Sequence, residues 1–256
     1  MLALLSPAKK LNFETPGNSI EGNHPLFIKE AYELASSLRD LSLPNLKSIM
    51  PISDNLLKIN MERYKNFKEN PEPQFVRNAL YAFSGDTYVG LNSSSFSNED
   101  ISFADQNLRI ISGLYGLLKP TDLIQPYRLE MGTRLKNRKG SNLYDFWKSN
   151  IANEINRLMP EHQERTLVNL ASKEYFNAID QTKIKAKVID AEFLEEKNGT
   201  SKVISFFSKK ARGAMANFIV KNKIIITKDL QNFDLNGYRF NQELSSNRKY
   251  VYSRSL

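Results

Sequence analysis

The chain opens on an apolar run, MLALL (1–5), that halts at Ser6-Pro7. Five apolar residues in a row leave no face for water, so the run is predicted to be a buried strand feeding a loop. A second short run, TLVNLAS (166–172), closes the same way in small residues. Much of the sequence between them carries helical spacing instead. Ile28, Ala31, Ala35 and Leu38 mark one amphipathic helix within 26–41. Ser53 or Asp54 can cap a second, with Leu57, Met61 and Tyr64 on its apolar side. Further helices are predicted from about Gln74 to Phe83, from the Ser97-x-x-Asp100 cap to about Ile111, and from Asn142 to Leu158. Residues 11–25, with Pro16-Gly17, Gly22 and Pro25, read as a loop, and 83–90 as a turn or short strand.

The last third turns to β. Segments 183–196 and 201–207 flank Asn198-Gly199, a strong hairpin signal, and KYVYS (249–253) reads as a final strand. Ser208 can cap a helix running to about Lys221. Without repeats or a linker, these segments predict an α/β (mixed α+β) fold: one domain over residues 1–256, a mixed sheet surrounded by helices.

Composition narrows the chemistry. The 256 residues include 15 Phe and 11 Tyr, enough to build a core, which sets the chain apart from disordered sequences. Cysteine is absent, which excludes disulfides, thiol catalysis, iron–sulfur clusters and Cys-based zinc sites. With His24 and His162 as the only histidines, a multi-His metal centre or a Ser-His-Asp triad is disfavoured. No metal and no cofactor are expected, and no obligatory protein partner is evident. No apolar stretch approaches a membrane span and the start is too short for a signal peptide, so a cytoplasmic location away from membranes is expected. The net charge of +8 is uneven: residues 1–182 carry 21 basic and 21 acidic side chains, residues 183–256 carry 15 and 7. A basic C-terminal portion on a neutral body suits a polyanion, or serves as plain solubility charge.

Polar groups gather where predicted strands end, the usual place for ligand groups in α/β proteins. Ser6-Pro7-Ala8-Lys9-Lys10 offers a hydroxyl and two lysines to a phosphate, or forms a solvated turn. Gly113-Leu114-Tyr115-Gly116 has the GxxG form that helix-hairpin-helix and KH modules bring to a nucleic-acid backbone, and equally that of a helix cap. In Gln125–Gly132, an extended chain would turn Tyr127, Leu129 and Met131 one way and Arg128 and Glu130 the other. The charged two are then an ion pair ordering a site, or a surface pair. Asn169-Leu170-Ala171-Ser172-Lys173-Glu174-Tyr175 follows the second apolar run. Ser208-Lys209-Lys210-Ala211-Arg212-Gly213 is predicted to open a helix, where three cations break the acidic preference of a first turn and favour an anion. No phosphate-loop, zinc-protease or nucleophile-elbow motif is present, nor an acidic two-metal cluster.

Six stretches, SPAK (6–9), FSGDTYVGL (83–91), SGLYGLLKPTDLIQPYRLEMGTRL (112–135), NLASKEYF (169–176), EEKNG (195–199) and SFFSKKARG (205–213), carry a resemblance. Over essentially its whole length the chain resembles the YaaA family, a bacterial group named for peroxide stress. The resemblance implies duplex DNA binding, an α/β fold with a helix-hairpin-helix element and a basic cleft, and a part in limiting free intracellular iron and oxidative DNA damage. Carried onto this sequence, the hairpin is Gly113–Gly116, with Tyr115 inside it. The phosphate-binding cleft draws on Lys9, Lys10, Arg128, Lys173, Lys209, Lys210 and Arg212. The alternative is an enzyme acting on a nucleotide or DNA base in the same cleft, with Ser6, Asp86, Tyr127 and Glu130 as its polar groups.

Overall fold

Leu2, Ala3, Leu4 and Leu5 are all fully buried, because the MLALL run becomes a central strand of the main sheet. The computed structural model describes residues 1–14 and 21–255, so the Pro16-Gly17 pair of the predicted loop lies outside the described residues. In chain order the elements begin β1 (Leu2–Leu5), β2 (Lys10–Leu11), α1 (Ile28–Arg39), α2 (Leu43–Ile49) and α3 (Asp54–Asn66). Next come β3 (Arg77–Asn78), α4 (Ala79–Ala82), β4 (Phe83–Ser84), α5 (Asp86–Leu91) and α6 (Asn98–Asn107). Then follow β5 (Leu108–Ser112), β6 (Gly116–Leu118), β7 (Leu123–Ile124), α7 (Leu143–Leu158), β8 (Thr166–Leu170) and α8 (Lys173–Phe176). The chain finishes with β9 (Lys187–Lys197), β10 (Thr200–Lys202), α9 (Ser205–Lys221), β11 (Arg239–Phe240) and β12 (Lys249–Ser255).

The main sheet has the order β11-β12-β9-β8-β1-β5-β6, with β10 pairing β9. Strands β12, β9, β8, β1 and β5 are parallel to one another, while β11, β6 and β10 join antiparallel. A parallel centre must be covered on both faces, which is why its strands read as continuous apolar runs. Helix α9 packs across β1, β8 and β9, with α6 beside it against β1 and β5. The result is the mixed α/β architecture predicted, with the Asn198-Gly199 turn joining β9 to β10.

Several boundaries differ, each for a physical reason. The predicted helix to Ile111 stops at Asn107, and Leu108–Ser112 is a strand buried along its whole length, as its adjacent isoleucines favour. The segment 74–83 is no single helix. Asn78 donates to the Thr121 carbonyl at 2.8 Å and β3 pairs with β7, which breaks it into a strand and one helical turn. FSGDTYVG holds β4 and then α5 rather than a turn. Helix α9 starts at Ser205, so Ser208 does not cap it and Lys209, Lys210 and Arg212 lie in its second turn or beyond. The helix-hairpin-helix expectation is also corrected: Gly113–Tyr115 is the turn between strands β5 and β6.

Candidate functional site

Register places Leu5 of β1 between Ile110 of β5 and Leu170 of β8, so the loops after these three strands leave the sheet at one edge. Ser6 follows β1, and its Oγ accepts the backbone N–H of Ser172 at 2.8 Å. Its hydroxyl also donates to Ser172 Oγ at 3.4 Å, and its carbonyl accepts from the Tyr88 hydroxyl at 3.1 Å. These bonds tie the 6–10 loop to α5 and to the turn before α8. The same loop approaches the start of α5, since a Cβ on Gly85 would stand 3.5 Å from that of Ala8. Asp86 is therefore placed next to Ser6–Lys9, at the first position of α5.

The 125–132 segment behaves as its alternation requires. Tyr127, Leu129 and Met131 are buried, whereas Arg128 and Glu130 face outward, joined at 3.0 Å. Lys9 reaches the other carboxylate oxygen of Glu130 at 2.7 Å. One carboxylate thus holds two cations drawn from segments 119 residues apart in sequence. Arg128 is only 18% exposed and its Nε has no hydrogen-bond partner. The hydroxyl of Tyr64 donates to the Arg128 carbonyl, and burial, helped by the nearby Arg128 charge, lowers the pKa of Arg63. Beyond the segment, Gly132 donates its N–H to Glu174 at 3.1 Å, which brings the Lys173–Glu174 turn against it. Tyr127 is buried with its hydroxyl 2.7 Å from Ser112 Oγ, and burial holds its pKa above the ordinary tyrosine value. It is a packing residue here.

Lys173 shares the lining of one cavity with Ser208 and Arg212, between the end of β8, residues 190–192 of β9 and the flank of α9. Lys209 and Lys210 stand exposed on α9, and Lys10 is exposed at the start of β2. Gly90 and Gly213 bring α5 and α9 into backbone contact: a Cβ on Gly90 would collide with the Lys210 carbonyl, one on Gly213 with that of Thr87. Helix α5 therefore touches the Lys9–Lys10 loop at one end and the Lys209–Lys210 turn near the other.

The GxxG segment does not join this edge as a contact surface. Leu114 and Tyr115 are fully buried, and Gly113 and Gly116 are buried with them. Ser112 Oγ already takes the N–H groups of Leu114 and Tyr115, at 3.2 and 2.9 Å. Trp147 donates to the Gly113 carbonyl at 2.9 Å. With these two donors occupied and its glycines packed under Trp147 and Leu129, this turn faces the core rather than a phosphate. Tyr88, Ser172 and Glu174 complete the edge. The sequence flagged the last two only as members of a polar run, and Tyr88 only as part of a mixed segment.

A family model described as "peroxide stress protein YaaA" matches residues 1–244. The chain belongs to that family. Curated relatives agree over the full length. A UPF0246 protein of Idiomarina loihiensis is 46% identical over 255 residues, covering 100% of this chain and 99% of the relative. Another, from Aliivibrio fischeri, is 45% identical over 254 residues, covering 99% and 98%. Membership in the YaaA family assigns the protein to peroxide stress. Among the described residues, no helix is long and apolar enough to cross a membrane.

Proposed function

We propose that this YaaA-family protein binds duplex DNA during peroxide stress, through cations at the carboxyl edge of the sheet, and thereby limits the damage that free iron inflicts on DNA. The observation that carries the reading is the helix α5, about 9 Å long, with Lys9 and Lys10 at one end and Lys209 and Lys210 near the other. Two exposed lysine pairs flanking a short rigid helix suit neighbouring phosphates. Arg212 lies deeper, beside the exposed Lys173, and would meet an end or a flipped unit. Binding of this kind releases counterions, so log K against log salt is expected to slope near −4 to −5 for about four to six phosphates. Lys209→Ala and Lys210→Ala should each flatten the slope by about one, equally for all sequences. A salt-insensitive affinity would sink the reading.

One observation favours a second reading, an enzyme acting on a nucleotide or DNA base. Glu130 puts a negative charge between Lys9 and Arg128, where simple backbone binding would want none. A half-buried carboxylate flanked by two cations can take a proton while the cations hold a phosphate or a developing anion. Incubating the protein with oxidised DNA and nucleotides, followed by product analysis, separates the readings. Turnover that vanishes in Glu130→Gln, with duplex affinity retained, would establish the enzyme. No product from any substrate would leave binding alone.

A further inference from the structure

The cavity between the end of β8 and residues 190–192 of β9 contains a buried hydroxyl with no partner among the described residues. Ser208 is 3% exposed, lines the cavity, and its Oγ has no hydrogen-bond partner among the described residues. One helical turn further along α9, Arg212 lines the same space, and its Nε is likewise buried without a partner. Buried polar atoms left unsatisfied are costly, and two in one wall call for an explanation in terms of an occupant. Lys173 enters from α8 and, like Arg212, forms no ion pair among the described residues. Both acids in the lining have partners: Glu192 pairs with Lys249 at 3.2 Å while its charge also reaches Arg212, and Asp190 accepts from Asn169 at 2.7 Å. The volume is about 390 Å³, within the range of small-ligand sites.

We propose that this cavity is a pocket for a phosphate monoester, with the Ser208 hydroxyl and the Arg212 guanidinium donating to its oxygens and Lys173 balancing its charge. A guanidinium fork and a hydroxyl form the donor set that phosphate oxygens favour. The monoester is favoured because Ser208 and Arg212 sit behind exposed lining residues such as Lys173 and Val203, where a terminal phosphate reaches more readily than an internal diester flanked by two sugars. The ligand is then either a free nucleoside monophosphate or the terminal phosphate of a broken DNA strand. The inference rests on the DNA reading for the class of molecule, and on the cavity alone for the phosphate.

Calorimetric titration of the full-length protein tests it. The probes are deoxyadenosine monophosphate, deoxyadenosine, and one short duplex made with either 5′-phosphate or 5′-hydroxyl ends. The monophosphate is expected to bind saturably and about tenfold or more tighter than the nucleoside. Ser208→Ala should weaken it about fivefold and Arg212→Lys about tenfold, because the fork is lost while the charge stays. Ser208→Ala should bind the 5′-hydroxyl duplex like the parent. Ser208→Ala should melt at or above the parent temperature, since it deletes an unsatisfied group. A preference for the phosphorylated duplex assigns the pocket to strand ends, and no preference with tight monophosphate binding assigns it to free nucleotides. The proposal is overturned if neither phosphorylated probe exceeds its unphosphorylated partner at millimolar concentration, or if both folded variants bind like the parent. Monophosphate binding without any duplex binding would instead overturn the DNA reading and leave the pocket standing.

Discussion

A methyl group on Gly116 would have to enter the space of the Trp147 ring, 2.5 Å from its nearest carbon, at a backbone φ of +69°. Gly199 has a similar φ of +73° but open space around it. The two positions separate dihedral strain from steric exclusion. Gly199→Ala is expected to cost about 1 kcal/mol, the left-handed penalty alone. Gly116→Ala should cost about 3 kcal/mol or more, because overpacking adds to that penalty. Urea melts of both variants check the difference, and equal losses would show that Trp147 yields easily. The glycine pattern was legible in the sequence. What lies above it was not, because a glycine admitting a ligand and a glycine admitting an indole from 31 residues downstream look alike along the chain. Glu130 shows the converse: the Arg128–Glu130 alternation pointed to a pair, and the pair exists, but the third partner, Lys9, needed the fold.

Between elements, the contact that most constrains the candidate site is that of α5 with α9. Helices normally lie about 8–10 Å apart, separated by side chains, but the facing Gly90 and Gly213 let one backbone rest on the other. Gly213→Ala is expected to destabilise the protein by about 2–3 kcal/mol and to weaken duplex binding by moving Lys209 and Lys210 away from the Lys9–Lys10 loop. Thermal melts together with salt-titrated binding test it, and a variant that melts early yet binds normally would uncouple the helix contact from the site. Element types read well where the pattern was long: α1 and α7 lie within about two residues of expectation, α3 starts where expected, and Ser53 and Asn142 are the observed caps. They read poorly where local and tertiary signals conflict. LRIIS continues the helical apolar spacing of α6, yet both its faces are buried, and the neighbouring strand β1 decides the outcome. SFF at 205–207 begins α9 without a side-chain cap, so Ser208 drew the boundary to itself.

At the scale of the whole molecule, acid sensitivity has an identifiable anchor. Asp100 closes a capping box at the start of α6 and takes Lys221, at 2.7 Å, from the end of α9, and Lys223, just beyond it. These hydrogen bonds hold its carboxyl well below the usual carboxylate range. The folded state thus favours the ionised form, so the stabilisation is complete above about pH 4 and disappears as pH falls through the lowered folded value. Asp100→Asn should be less stable at pH 7 and show a shallower loss between about pH 4 and 2, read as the urea midpoint against pH. An unchanged slope would place the acid sensitivity elsewhere. The central position of β1 has a consequence of another kind, in the order of events during synthesis. Leu5 is held by Ile110 on one side and Leu170 on the other, so neither neighbour has been translated while the first hundred residues emerge. Contacts of such sequence separation close late and slowly. The MLALL run, made before either partner, is secured only after both, and until then its greasy surface is a natural client for a chaperone.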